Sequence, residues 1–150
     1  MTLEVRPATV MDAPALVPLI DELGYRSTAA QIGATLARLA SSPDDRVLLA
    51  LDGGTAVGLI SCHVLDTLHI PGRLGRITAL VVAGTHQRRG LGAQLIRSAE
   101  VFFRSAGCTR VEVTSGVRRE EAHAFYRAQG FAETSRRFVK SLGGEAAPRT

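Results

Sequence analysis

Seven consecutive residues, Gln87-Arg88-Arg89-Gly90-Leu91-Gly92-Ala93, carry the strongest chemical signal in this 150-residue chain. They follow a strand-like apolar run and open the most regular amphipathic stretch of the sequence. At the start of a helix the first N–H groups have no internal partner and point outward. The helix dipole adds partial positive charge there, about 0.3–1 kcal/mol for an exposed anion. Gly90 and Gly92 put no Cβ between the backbone and a ligand, and Arg88 and Arg89 add charge at the rim. Together they make an anion cradle. The spacing is not the three-glycine dinucleotide fingerprint, and no Gly-Lys-Ser/Thr step of a P-loop follows. An ordinary glycine-containing helix entry with solvated arginines has the same letters.

A second cluster runs from Ala122 to Phe131 and reads AHAFYRAQGF. Ala122, Phe125 and Gln129 recur at helical spacing, and Tyr126 lies beside that apolar face. Taken alone, it reads first as a core tyrosine with its hydroxyl at the edge. Cys62, His63 and His69 have metal-binding side chains, but neighbouring strand residues point to opposite faces. Cys62 and His63 are therefore poor partners for one ion, and no metal site is expected. Cys62 and Cys108 are too few for a disulfide framework and read as reduced thiols acting as small hydrophobes.

The elements that must position these residues follow from periodicity. Leu3 to Arg6 reads as a strand stopped by Pro7. Thr9 and Asp12 give a capping-box-like start to a helix carrying Leu16, Ile20 and Leu23 and ended by Gly24. Ser27 or Thr28 opens a second helix with Ile32, Leu36 and Leu39. Val47–Leu51 and Ala56–Leu65 are strands joined by a turn at Asp52-Gly53-Gly54, with a bulge or bend at Gly58. Asp66–Gly75 reads as a loop around Pro71-Gly72, and Arg76–Val82 as the next strand. Gly90–Ala106 is the strongest helix, with Leu91, Leu95, Ala99 and Phe102 on one face and Gly107 as its cap. Arg110–Thr114 is a strand that should run parallel to Arg76–Val82. Glu120–Gln129 is a helix ended by Gly130, and Phe131–Thr134 and Arg137–Leu142 are strand-like. Residues 1–142 read as one α/β (α+β) domain and residues 143–150 as a frayed tail.

Composition narrows the function. Hydrophobic residues make up 45% and charged residues 21%, which fits a folded domain and excludes a disordered chain. The net charge of +4 comes with arginine pairs but with only five Phe, two Tyr and no Trp. That is thin for a base-stacking surface, so a small polyanion fits better than nucleic acid. No apolar run is long enough to span a membrane. The opening MTLEVRPAT lacks the apolar core of a signal peptide, and a cytoplasmic location is expected.

The two motifs together, in this order and spacing, resemble those of the GNAT superfamily of acetyl-CoA-dependent N-acetyltransferases. Gln87, Gly90 and Gly92 match its Gln/Arg-x-x-Gly-x-Gly/Ala signature. Ala122, Phe125, Tyr126, Gly130 and Phe131 match its Ala-x-x-Phe-Tyr and Gly-Phe. VRPAT, VLLALDGGTAVGLISCHV, ALVV and SRRFVKSL are similar to the branch that contains aminoalkylphosphonate N-acetyltransferase. The resemblance implies a mixed, mostly antiparallel sheet flanked by helices, in which a splayed parallel strand pair forms a cofactor cleft. Acetyl-CoA would lie there, its pantetheine along the backbone of Leu80, Val81 and Val82 and its pyrophosphate on Gln87, Arg88, Arg89, Gly90, Leu91, Gly92 and Ala93.

The implied reaction is attack of a neutral amine on the thioester. A backbone N–H at Val81 or Val82 would face the oxyanion, and Tyr126 would act as general acid on the departing thiolate. Relatives often place a glutamate on the strand before the cofactor loop, where this chain has Ala79. Glu112 is the candidate base, and a water relay is an alternative. His63, Asp66 and His69 border the expected substrate mouth, and Arg73 or Arg76 would supply charge there for an anionic amine. Relatives also often carry Asn before the last helix, where this chain has Gly116-Val117-Arg118-Arg119. The expected acceptor is a small-molecule amine, with homodimerisation possible. A peptide or protein N-acetyltransferase and a non-catalytic acetyl-CoA sensor are the alternatives.

Overall fold

The apolar alternation between residues 45 and 82 becomes three long antiparallel strands in a computed structural model of the chain. The structure describes residues 2–114, 120–134 and 137–143. The chain divides into two compact units, residues 1–114 and 115–150. In the first, β1 (Leu3–Pro7) leads through a 3-10 turn (Val10–Asp12) to α1 (Ala13–Leu23) and α2 (Ala29–Ala40). Then come β2 (Asp45–Asp52), β3 (Thr55–Thr67), β4 (Ile70–Val82), a 3-10 turn (Gly84–His86), α3 (Leu91–Ser105) and β5 (Cys108–Val113). The strands form one sheet in the order β1-β2-β3-β4-β5. All neighbours are antiparallel except β4 and β5, which α3 connects as a parallel pair.

Local chemistry accounts for the helix ends. The Thr28 hydroxyl accepts from the Gln31 N–H at 3.1 Å while the Gln31 side chain accepts from the Thr28 N–H at 2.9 Å, a complete capping box for α2. Before α1, the Asp12 carboxylate accepts from the Thr9 N–H at 2.7 Å and from both terminal nitrogens of Arg6 at 2.9 Å. The hydrogen bond from Arg6, working against a burial cost and helped by Thr9, holds Asp12 down at about 2.

Each face of the sheet has its own helical cover. Leu16 and Leu19 of α1 and Ile32 and Leu36 of α2 pack with Leu49, Leu51, Leu59 and Val81. On the other face α3 buries Leu91, Leu95, Ile96, Ala99, Phe102 and Phe103. Two strand glycines let α3 approach. A Cβ on Gly58 would stand 3.1 Å from Leu95 Cδ1, and one on Gly75 would stand 2.5 Å from Phe103 Cδ1. The expected irregularity at Gly58 appears as a bulge in β3, where Ala50 pairs with Gly58 but Leu51 with Ala56.

Two sequence expectations change. Asp66–Gly75 is not a loop: β3 continues to Thr67, β4 starts at Ile70, and Leu65 pairs with Leu74 and Asp66 with Arg73. Pro71 comes just after the start of β4, close to the strand-opening position where a missing N–H is tolerated. Arg73 further fastens the hairpin by donating to Asp44, Asp66 and the Ala106 carbonyl. The second change concerns 131–134 and 137–142, which form no strand. Apolar content suggested strands there, but a strand needs a partner edge, and Phe138 and Leu142 are 92% and 95% exposed. No helix of the described residues is long and apolar enough to cross a membrane. In the second unit, α4 (Glu120–Ala128) is the one helix among the described residues.

Gly75→Ala forces a methyl into the Phe103 ring, so a loss of about 1–3 kcal/mol is expected; an unchanged melting temperature would show that the ring yields at no cost. The Arg6–Asp12 contact gives a pH signature. Asp12 titrates lower folded than unfolded, so its contribution is complete above roughly pH 5 and fades as pH falls from about 4 toward 2. The melting-temperature gap between wild type and Asp12→Asn should therefore be constant from neutrality to roughly pH 5 and close below it.

Candidate functional site

The site begins where two strands part. β5 pairs with β4 from Arg73↔Cys108 to Ile77↔Val113 and stops, whereas β3 stays with β4 as far as Gly58↔Val82. Among the described residues, Thr78–Val82 therefore has a strand on one edge only. A bulge marks the parting, since Ser61 pairs with Ala79 and Cys62 with Ile77, leaving Thr78 extra. The Ala83 N–H donates to the Val57 carbonyl at 2.8 Å. Antiparallel alternation then turns Val81 toward β3 and the amides of Leu80 and Val82 to the open edge. In keeping with this, the Val82 carbonyl accepts from Gln87 Nε2 at 3.1 Å rather than from β3. Of the two amides expected to face an oxyanion, Val82 points outward, while Val81 belongs to the ladder and its side chain to the core.

The cradle stands at the same end of β4. α3 starts at Leu91, with Gly90 left-handed at φ 77° as its cap, and its first helical bond runs from Gln94 N–H to Gly90 carbonyl. The amides of Leu91, Gly92 and Ala93 precede that bond and have no partner within the helix. Arg88 is also left-handed, at φ 62°, the single non-glycine with positive φ among the described residues. Such strain costs of order 1–3 kcal/mol and persists where surrounding structure enforces it. A left-handed residue in a loop also turns successive amides toward one point, the geometry of an anion nest. Residues 87–90 are exposed and Leu91 is buried, so an open rim sits on a fixed base. These features fit a diphosphate.

Two anchors hold the loop, and neither reads as an anchor from the sequence. Gln87, expected among the ligand contacts, ties the loop to β4 through Val82. His86, which sequence reasoning passed over, bonds through Nε2 to Asp52 Oδ2 and through Nδ1 to Thr85 Oγ1, each at 2.8 Å. Asp52 also accepts from the Thr2 N–H, and the His86 bond is the main cause of its lowered titration. Asp52 thus carries both the β2–β3 turn and the approach to the cradle.

Below the splay a row of polar residues crosses four strands: Asp45, His63, Arg76 and Glu112, each opposite the next. His63 Nδ1 lies 2.8 Å from Asp45 Oδ1. Arg76 directs Nε and Nη2 at Glu112 Oε1. The structure thus brings His63 and Glu112 to the mouth of the opening. Asp66 and His69 are at the hairpin end instead; Asp66 is opposite Arg73, about 23 Å of strand from Leu80. Arg73 and Arg76, considered for an anionic acceptor, are both engaged by carboxylates. Asp45 was missed because Ser-Ser-Pro-Asp-Asp reads as a helix stop, and nothing in the letters pairs it with His63.

In the second unit α4 carries Tyr126 near its end. Gly130 N–H donates to the Arg127 carbonyl and Phe131 N–H to the Tyr126 carbonyl, each at 3.0 Å, a Schellman cap with Gly130 at φ 92°. The Phe131 ring meets the Tyr126 ring edge-on at 5.8 Å. The Tyr–Gly–Phe spacing is thus a helix stop that fixes the tyrosine ring. Gly116-Val117-Arg118-Arg119 lies outside the described residues.

Burial pushes the Cys62 thiol up to about 12 and raises that of Cys108, so neither is an activated nucleophile. Among the described residues no group of three His, Cys, Asp or Glu side chains is placed to hold a metal ion.

The model of the acetyltransferase (GNAT) family matches residues 17–131. Aminoalkylphosphonate N-acetyltransferase of Salmonella typhimurium is 33% identical over 144 residues, covering 93% of this chain and 91% of that protein. Glucosamine-6-phosphate N-acetyltransferase from Arabidopsis thaliana superposes with a TM-score of 0.81 at 19% identity, over 95% of this chain and 99% of the other. An aminoglycoside N-acetyltransferase in complex with CoA gives 0.84 at 16% identity, over 95% and 96%. The two structural likenesses speak for the fold.

A side chain at residue 90 is strained at φ 77° and would relax the loop out of its cradle form. Gly90→Ala is therefore expected to weaken coenzyme A binding about tenfold, the equivalent of about 1.4 kcal/mol. Equal affinities in calorimetry would remove Gly90 from the cradle.

Proposed function

The chain belongs to the GNAT acetyltransferase family, and on that premise we propose that it moves acetyl from acetyl-CoA to a primary amine of a small molecule by direct attack. The observation that carries this reading is the open edge of β4 ending at the amides that start α3. A thioester arm and a diphosphate need those two features in that order. Acetyl-CoA, when bound, supplies an acetyl group activated as a thioester. The outward amides of Leu80 and Val82 are the candidate donors to the pantetheine arm and to the acetyl oxygen as charge develops there. The amides of Leu91, Gly92 and Ala93, with Arg88 and Arg89 at the rim, take the diphosphate.

Tyr126 is the proposed general acid. A phenol, with an ordinary value of about 10, stays protonated near neutrality and can give its proton to a departing thiolate. The assignment rests on the matching motif and on the ring being fixed by Phe131. Two groups at the splay can take the proton that the acceptor must lose, Glu112 and His63.

Thiol release from acetyl-CoA across a panel of amines tests the function. Aminoalkylphosphonates come first because of the Salmonella relative's name, followed by aminoglycosides, polyamines, amino acids and short peptides. Stimulation by a non-peptide class is the expected result. Stimulation by peptides alone would make the chain a peptide acetyltransferase, and acetyl-CoA binding without stimulation would favour a sensing module. With the acceptor in hand, Tyr126→Phe should lower kcat about 10²-fold with acetyl-CoA affinity unchanged; equal turnover would take Tyr126 out of the role.

A further inference from the structure

Taking acetyl transfer as given, we propose that His63, oriented by Asp45, is the base that removes the proton from the acceptor ammonium. The need for a base is quantitative. An alkylamine with an ordinary value of about 10.4 is neutral in only about one molecule in a few thousand at pH 7. At the splay the described residues offer two groups that can take it, Glu112 and His63.

Geometry separates the two candidates there. A carboxylate can only accept, so the 2.8 Å contact between Asp45 Oδ1 and His63 Nδ1 requires the hydrogen on Nδ1. That leaves the lone pair on Nε2, the basic nitrogen. The Asp45 side chain is only 13% exposed and that of His63 is 41% exposed. The orienting group is thus inside and the reactive group at the surface. His63 sits opposite Arg76, one residue before β5 leaves β4. The charged groups that face it across the sheet are Asp45 on β2 and Arg76 on β4, with Glu112 on β5 beyond.

Protonation has opposite consequences at the two sites. A proton on His63 turns Asp45···His63 into an ion pair beside the existing Arg76–Glu112 pair, and the four charges match two by two. A proton on Glu112 removes the only counter-charge that the described residues give Arg76. Water carries the proton from the amine to Nε2, since the open edge begins two residues beyond Arg76. One ammonium proton passes to Nε2, and the nitrogen lone pair forms the C–N bond as the C–S bond breaks. The second nitrogen proton leaves to solvent, from which the Tyr126 phenolate recovers the one it gave to sulfur. His63 then returns its proton to solvent.

The test combines a pH profile with a spectroscopic readout. In wild type, kcat/KM should rise with pH and level off well below the pKa of the amine. In His63→Gln it should be about 10²-fold lower near neutrality, keep rising toward the amine's own value, and so lose its deficit at high pH. Coenzyme A affinity, unchanged in the variant, certifies the fold. Asp45→Asn should give a smaller loss, and Glu112→Gln should keep the wild-type break. Nitrogen-15 spectra of the imidazole should show the Nδ1–H tautomer in wild type and its loss in Asp45→Asn, with no acceptor needed. A wild-type break retained in His63→Gln but lost in Glu112→Gln would overturn the assignment and hand the role to Glu112. An Nε2–H tautomer would overturn it as well. If wild type transferred acetyl to no amine, the functional reading would fail first, separately from the assignment of the base.

Discussion

Among the described residues β4 has a strand on both edges only as far as Ile77, and the rest of the first unit is arranged around that limit. Past Ile77 the strand has β3 on one side and outward amides at Leu80 and Val82 on the other. Unpaired strand edges are a liability that proteins usually cover. An edge left open on purpose has to be held by what lies behind it. Here the hold comes from the β3 ladder, from Val81 in the core beneath α1 and α2, and from Gln87 capping the Val82 carbonyl. Held in this way, the edge offers an extended polar ligand the place that an added strand would take.

α3 gives the open edge its second half. Its start is fixed by Leu91 and Leu95 against Gly58, and its far end by Phe103 against Gly75. Gly58 is opposite Val82. The glycine that admits the helix is therefore level with the last outward amide of β4, and the free amides of the helix emerge beside it. The His86–Asp52 contact ties the connecting turn to the β2–β3 hairpin. Strain at Arg88 can be kept because both ends of the loop are anchored.

The fold was largely legible because its signals are local. Ser27-Thr28, Gly24, Gly107 and the alternation of β2 and β3 each name their own element. Where the reading failed, the deciding partner was distant in sequence. Pro71-Gly72 reads as a loop until Leu74 is seen opposite Leu65, and residues 137–142 read as a strand although no edge among the described residues receives them. The same holds for the site. Gly90 and Gly92 stand out as candidates because an anion cradle is built from consecutive residues. Asp45 could not, because its meaning comes from register: β2 and β3 must pair with Asp45 opposite His63 before the contact exists.

Register also bears on how an acceptor is chosen. A net charge of +4 suggests a chain that selects anions, yet the two cations of β4 are matched, Arg73 by Asp44 and Asp66 and Arg76 by Glu112. Matched charges contribute little net attraction to a ligand at a distance. What they supply is fixed geometry, because a guanidinium held by a carboxylate keeps its place in the row and keeps its neighbours in theirs. The positive charge of these two arginines is therefore structural, and the group left to meet an amine is the His63 imidazole. A neutral base does not repel an ammonium, and once it takes the proton, Asp45 already stands 2.8 Å away to balance the charge. The row thus suits proton removal better than anion capture.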